Sequence, residues 1–365
     1  MPFDTAPSPS CFDDAKLLLF CETAVTLFAG QFAGQVALSG EKHFSVALPS
    51  FITPPLDRAM TERRARDDRE TKKAQNRLLS CISQKKAVTL QLKVAKTMEI
   101  QHLHSIQDIS KQYMTGDLPV LVLCSDTQQY ICKYMRPNAT IAYKLACEYI
   151  GAVFAETWKI ATPPFALVQI MPAHWASVTA SHSSSAPSIG FKKIEGVIDI
   201  TPTTFRQVEA NADTLYQLLK IALFDFWIAN EDRTYNNANL LYDIENERLI
   251  SIDYGGILNN VTFDFPLSQL TETDSILGAD IFAHIVKSVS LRQLEKAVEQ
   301  LEKDYLLCIN RSKKQAGLLA GMPKEWAVPV NKTEVKLEEL FSSEWLRTTW
   351  KNFVECLKSN SNYGK

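Results

Sequence analysis

Residues 223–258 read LFDFWIANEDRTYNNANLLYDIENERLISIDYGGIL, and the order of groups in that stretch decides how the rest of the chain is read. An apolar run, Ile221 to Ile228, turns abruptly polar at Asn230-Glu231-Asp232-Arg233. Asn237 and Asn239 follow at short range. Two further apolar runs, Leu240 to Tyr242 and Leu249 to Ile252, are split by a charged turn from Asp243 to Glu247. The second run ends in Asp253-Tyr254-Gly255-Gly256. A helix end, a polar loop, a hairpin and an Asp-aromatic-Gly turn in that order predict that Asp232, Asn237 and Asp253 surround one point.

Phosphoryl transfer from a metal-bound nucleotide asks for such a set. The transferred group needs little covalent help; it needs positioning, a divalent metal and a residue that orients the nucleophile. Asp232 can accept or orient the proton of an attacking hydroxyl. Asn237, five residues on, can offer a neutral oxygen to a metal, and Asp253 supplies the anionic oxygen that magnesium prefers. Asn239 serves as a second ligand or holds the loop through side-chain to backbone bonds. The competing reading is a plain turn and hairpin, because Asn, Asp and Gly are also what turns are made of.

The two-part pattern Asn230-Glu231-Asp232-Arg233-x-x-Asn236-Asn237-x-Asn239-Leu240-Leu241, then Ile252-Asp253-Tyr254-Gly255, resembles the catalytic core of the HipA-like kinases. These are bacterial Ser/Thr kinases distantly similar to the phosphoinositide kinases. The resemblance runs from roughly Met114 to the C-terminus and leaves about the first ninety residues uncovered. It implies an α+β, two-lobed protein-kinase-like fold, with a small β-rich lobe, a larger helical lobe and an unassigned N-terminal extension. The implied division is 1–86 extension, 87–172 small lobe and 173–365 large lobe.

Composition sets wider bounds. A chain of 365 residues has room for two or three domains, and its 46% apolar share is that of a folded soluble protein. A net charge of -2 gives no general pull towards nucleic acid or anionic membrane. Eight cysteines make no C-x-x-C pair and six histidines no ligand-spaced cluster, which argues against zinc and for a reducing cytoplasm.

Read from the start, Leu17 to Leu38 is apolar, but Glu22 lies inside it and glycine breaks it twice. A central acid costs ~2.5–3.5 kcal/mol on insertion, so a buried helix is expected there rather than a membrane span. Phe44 to Ile52 has the look of a short strand. Asp57 to Lys73 interleaves arginines with acids and reads as a solvated helix or linker rather than a nucleic-acid patch. Val88 to Val94 alternates as a strand does. Val120–Cys124 and Tyr130–Met135 form a hairpin signal around Ser125–Gln128, and Lys133 lies in its second strand. Thr140 to Trp158 has a helical apolar face with Glu148 on or near it, and Glu156 a turn or two further on. Phe165 to Met171 is a strand entered through Pro163-Pro164, and Gly190-Phe191-Lys192-Lys193 reads as a turn. Asp213–Ala229, Ile281–Val289, Leu291–Ile309 and Glu339–Leu357 read as helices, with Trp326, Trp345 and Trp350 as core aromatics.

The kinase resemblance turns several of these positions into site residues. Lys133 would steady the nucleotide phosphates and Glu148 (with Glu156 as rival) would fix the lysine's head. Gly116, in Met114–Pro119, would let backbone N–H groups approach a phosphate, although a full glycine-rich loop is missing. Gln169 to Met171 would lie where the lobes join and an adenine ring rests. ATP and Mg2+ are the implied cofactors, a protein Ser or Thr the implied acceptor, and an antitoxin-like partner enters with the family. Two other classes compete: a nucleotide-binding pseudokinase with a regulatory role, and a lipid or small-molecule kinase.

Overall fold

A computed structural model describes residues 99–364, apart from 137–138, 177, 179–184 and 262–263. The expected helix at 17–38, strands at 44–52 and 88–94, and charged linker at 57–73 lie outside the described residues.

A six-stranded sheet forms one lobe, in the order β1-β5-β6-β4-β3-β2. Its strands are β1 (Gln101–His104), β2 (Lys111–Gln112), β3 (Val120–Leu123), β4 (Gln129–Lys133), β5 (Phe165–Gln169) and β6 (Ser188–Lys192). The β1–β5 pair is parallel and every other pair antiparallel. Strand alternation does the placing of Lys133. Tyr130 and Cys132 enter the apolar core with Val120, Val122 and Trp175, so Lys133 falls on the other face of β4.

Residues 188–192 correct the reading of Gly190–Lys193 as a turn. This segment is an interior strand, paired with β4 on one side and β5 on the other. Gly190 is there because a Cβ would stand 2.7 Å from Val168 Cγ2 and 3.0 Å from Cys132 Sγ. The glycine marks close packing within a sheet, not a chain reversal.

Helix α1 (Ala139–Thr157) is buried on all sides from Leu145 to Ala155. Helix α2 (Ala212–Ile228) is the axis of the helical lobe and packs against α4 (Leu291–Lys313) and α6 (Ser343–Asn360). Its start is a capping box: Asn211 Oδ1 accepts from the amides of Asp213 and Thr214, and Thr214 Oγ1 accepts from Asn211 N. A small antiparallel sheet, β7 (Val197–Asp199), β8 (Leu240–Asp243) and β9 (Arg248–Ser251), follows α2 in space. Helices α3 (Asp280–Ser288) and α5 (Val330–Leu340) complete the lobe. The single helix expected over 339–357 is two elements: α5 ends at Leu340, and α6 starts after Ser342, whose hydroxyl accepts from Trp345 N.

The core around α2 is aromatic. Trp158 stacks on Trp227 with ring centres 5.3 Å apart, and Phe154 and Phe224 close around them. Two of the indole N–H groups on this side find a carbonyl: Trp227 donates to Leu340 O at 2.9 Å and Trp345 to Trp227 O at 2.8 Å, while that of Trp158 has no partner among the described residues. Trp326 is likewise fully buried. Among the described residues no helix is long and apolar enough to cross a membrane, and the cysteines at 124, 132, 147, 308 and 356 are free and buried.

Candidate active site

Three short pieces of chain converge beside α1: the end of β4, the loop after α2 and the turn after β9. Lys133 closes β4, and its ammonium donates to Glu148 of α1 and, at 2.8 Å, to Asp253 Oδ1. Glu148 is fully buried and accepts a second bond, from Tyr254 N at 3.0 Å. Glu156, the other candidate on the helix, is exposed. A glycine makes the fit between α1 and the Asp253 turn. A Cβ on Gly151, one turn beyond Glu148, would stand 2.3 Å from Tyr254 Cβ. The helix can therefore lie directly on the turn and deliver Glu148 to it.

Asp253 occupies the left-handed region (φ 59°), a conformation that Asp tolerates better than most residues. Its Oδ1 also accepts from Gly255 N at 3.3 Å. Charge is sharply graded across this group. Burial alone would lower the Lys133 ammonium, but the carboxylates of Glu148 and Asp253 outweigh it and hold it above its usual range. Burial pushes the Glu148 carboxyl up to about 8 against the pull of Lys133. Burial would raise Asp253 as well, yet Lys133, Glu148 and the Gly255 amide hold it down at about 2. Asp253 is thus an anion at any ordinary pH.

The loop after α2 places Asp232. Ala229 ends the helix in the left-handed region (φ 52°), and Asp232 packs on Gly256, where a Cβ would approach Asp232 Cβ to 2.5 Å. Asn237 Nδ2 donates to Asp232 O at 3.0 Å and to its Oδ1 at 3.3 Å. Asn239 Nδ2 donates to Asp232 Oδ2 at 3.0 Å. Asn239 is also tied to the turn after β9, since its carbonyl accepts from Ile252 N at 3.1 Å, one residue before Asp253. Both asparagines thereby orient the Asp232 carboxylate, and Asn239 links it to Asp253.

Arg233 braces the loop from inside. It is fully buried and donates to Asp225 Oδ1 (2.5 Å), Ser251 Oγ (2.7 Å), Ile252 O (2.8 Å) and Ala238 O (3.1 Å). Beyond Gly256, residues Leu258, Asn259 and Asn260 all take left-handed backbone angles, at a cost of ~1–2 kcal/mol for each non-glycine residue. Glu231 holds that turn, accepting from Asn259 Nδ2 and Asn260 Nδ2 at 2.7 Å each. The loop after α2 and the segment after Asp253 are bound as one unit.

The remaining expected positions are placed as follows. Gly116 faces open space, its carbonyl accepts from Arg136 at 3.1 Å, and the left-handed residue of that loop is Leu118 (φ 48°). The loop instead brings Asp117 to 3.5 Å from both Lys133 Nζ and Lys144 Nζ, a contact with no motif to announce it in the sequence. Gln169 ends β5 and donates to Ser185 O at 3.2 Å. The amide of Met171 donates to Ser105 Oγ at 2.8 Å, and that hydroxyl is bonded to His174 Nδ1 at 2.7 Å. The strand-to-lobe connection is therefore tied to β1.

The donor atoms fit a hard divalent cation. Asp253 offers a permanent carboxylate, and the Asn237 and Asn239 amides, with nitrogens turned to Asp232, have their oxygens directed elsewhere. Among the described residues no group of three His, Cys, Asp or Glu side chains could cage a metal alone. One carboxylate, an amide oxygen, water and phosphate oxygens form the set that magnesium commonly takes.

A HipA-like kinase family profile matches residues 105–353. Among solved structures, the Helicobacter pylori proinflammatory kinase CtkA is similar at 11% identity over 70% of this chain and 98% of that one, with a TM-score of 0.42. The open conformation of CtTel1 is similar at 10% identity over 66% of this chain and 11% of that one, with a TM-score of 0.27. No curated protein matches the chain.

Proposed function

This chain belongs to the HipA-like kinases, and from that membership we propose that it moves the γ-phosphoryl group of ATP, with magnesium, onto a Ser or Thr hydroxyl of a protein. The observation that carries the reading is Lys133 joined to both Glu148 and Asp253 beside an Asp232 held by two asparagines.

Each residue has a task in this reading. Glu148 holds the Lys133 ammonium, which in turn grips phosphate oxygens of the nucleotide. Asp232 accepts or orients the proton of the acceptor hydroxyl, its carboxylate kept in line by Asn237 and Asn239. Asp253 would hold the metal, with an amide oxygen from Asn237 or Asn239. Bound magnesium supplies neutralisation of charge on the phosphates. Gly116, Gln169 and Met171 border the nucleotide, with the Met114–Pro119 loop over the phosphates. For Lys133 to meet a phosphate, it exchanges a carboxylate partner for it, and Asp117 at 3.5 Å is the weaker-held of the three.

A reading without transfer rests on that same Asp117, which occupies the lysine where a phosphate would bind. One experiment separates the two. Wild type, Asp232→Asn and Asp253→Asn are incubated with γ-labelled ATP and magnesium. The expected outcome is label on the wild type, with transfer lowered by ~10² or more in each variant. Nucleotide binding without label in any of the three supports the pseudokinase. Neither label nor binding removes the proposed function.

A further inference from the structure

Away from the cleft just described, the helical lobe has a cavity of about 240 Å³ lined by three cations. Lys159 contributes from the end of α1, Lys220 from α2, and Arg248 from the start of β9. Tyr216 and Gln217 complete its α2 wall. None of these residues takes part in the proposed phosphoryl transfer.

The charge at this cavity is only partly balanced by the protein. Among the described residues, neither Lys159 nor Lys220 has a carboxylate within ion-pair distance. Arg248 pairs with Asp243 at 3.5 Å, a carboxylate that also accepts from Asn246 Nδ2 at 2.8 Å. Asp304 is the other acid in reach, and Tyr216 O–H donates to it at 2.5 Å. Burial lowers the Lys220 ammonium, and Arg311 and Lys159 press it the same way, offset only in part by Cys308 and Asp304. Lys220 lies over the Tyr216 ring at 5.7 Å but has no counter-ion within ion-pair distance, and a half-buried lysine without one is costly to keep charged, a cost that a bound anion removes.

Local structure holds the cations in place. Lys159 sits at a left-handed position (φ 56°) that closes α1, with its amide donating to Glu156 O at 2.9 Å. Gln217 fixes the hairpin to α2, accepting from Leu249 N at 2.8 Å. Lys220 is one turn along α2 from Gln217 and Tyr216, so the three share a face. We propose that this cavity binds a phosphate group, either free phosphate or a small phosphate monoester. Three cations around one space, of which only Arg248 has a carboxylate partner among the described residues, suit a dianion better than a single carboxylate. Arg248 adds a planar fork suited to phosphate oxygens.

The test keeps the catalytic cleft filled. Full-length protein is saturated with magnesium and a non-hydrolysable ATP analogue, then titrated calorimetrically with inorganic phosphate and, separately, with O-phosphoserine. The expected result is a second binding event that weakens about tenfold or more in Lys220→Gln/Arg248→Gln, with affinity for the ATP analogue unchanged. Tighter binding of phosphoserine than of phosphate identifies a monoester as the ligand, and the reverse identifies the free ion. Lys159→Gln, a change at an exposed side chain, guards against a folding artefact and should weaken the event by itself. Absence of a second event in wild type, or equal binding by wild type and all variants, overturns the proposal. Failure here leaves the kinase reading intact, because the two sites share no residue.

Discussion

Arg233 and Lys133 both tie the Asp253 turn to the rest of the chain, yet they are bound in contrasting ways. Arg233 is fully buried, meets one acid, Asp225, and spends its other donors on Ser251, Ile252 O and Ala238 O. Lys133 keeps 13% of its side-chain surface exposed and faces three carboxylates, Glu148, Asp253 and Asp117. The arginine is a saturated fork in a fixed socket. The lysine is a point charge shared among competing anions, and such a charge can trade one anion for another. Permanence belongs to the arginine brace and exchange to the lysine.

Breaking the brace should have the largest effect. Arg233→Ala leaves Asp225 buried without its counter-charge, so a loss of about 3–5 kcal/mol in unfolding free energy is expected by denaturant titration. A loss below about 1 kcal/mol would show that the two cations are equivalent after all.

The exchangeable side predicts the reverse balance. Lys133→Met should lower phosphoryl transfer by ~10² or more, while stability falls by no more than about 2 kcal/mol. Transfer is measured with labelled ATP, and stability by the same denaturant titration. Equal loss of both would place Lys133 with Arg233 as part of the scaffold.

A subtler difference lies in pH. Burial raises the Glu148 carboxyl to about 8, against 4.5 for a free glutamate, while the Lys133 ammonium pulls the other way. A raised folded value favours the native state most below the unfolded value, and that contribution is lost as pH rises towards about 8. Wild type should therefore lose stability relative to Glu148→Gln between pH 5 and pH 8, a modest change read from paired melting curves. A constant difference across that range would mean that Lys133 keeps Glu148 ionised throughout.

Much of this centre is legible in the order of residues. Lys133 could be placed because β4 alternates, and the same alternation that buries Tyr130 and Cys132 turns the lysine to the other face. Asp232 and Asp253 were marked by an abrupt apolar-to-polar change at a helix end and by the end of an apolar run. Glu148 is the expected partner of Lys133 with Glu156 as its rival, since both fall on one helix and only the resting place of α1 separates them. The strand at 188–192 is hidden because Gly, Lys and a following polar run are turn signals locally; its pairing partners lie in β4 and β5, distant in sequence. Asp117 carried no signal at all.

Local chemistry, then, determined which residues could do the work: a lysine on an alternating strand, an Asp after a helix, an Asp-aromatic-Gly turn, and a family pattern joining them. Tertiary structure decided which of those groups meet. Gly151 lets α1 rest on Tyr254, Gly256 admits Asp232, and Arg233 binds the loop to β9. The cations of the rear cavity come from α1, α2 and β9, three segments with no shared motif. Periodicity and turn chemistry act over a few residues, whereas close approach and charge balance are set by whatever the fold brings within a few ångströms.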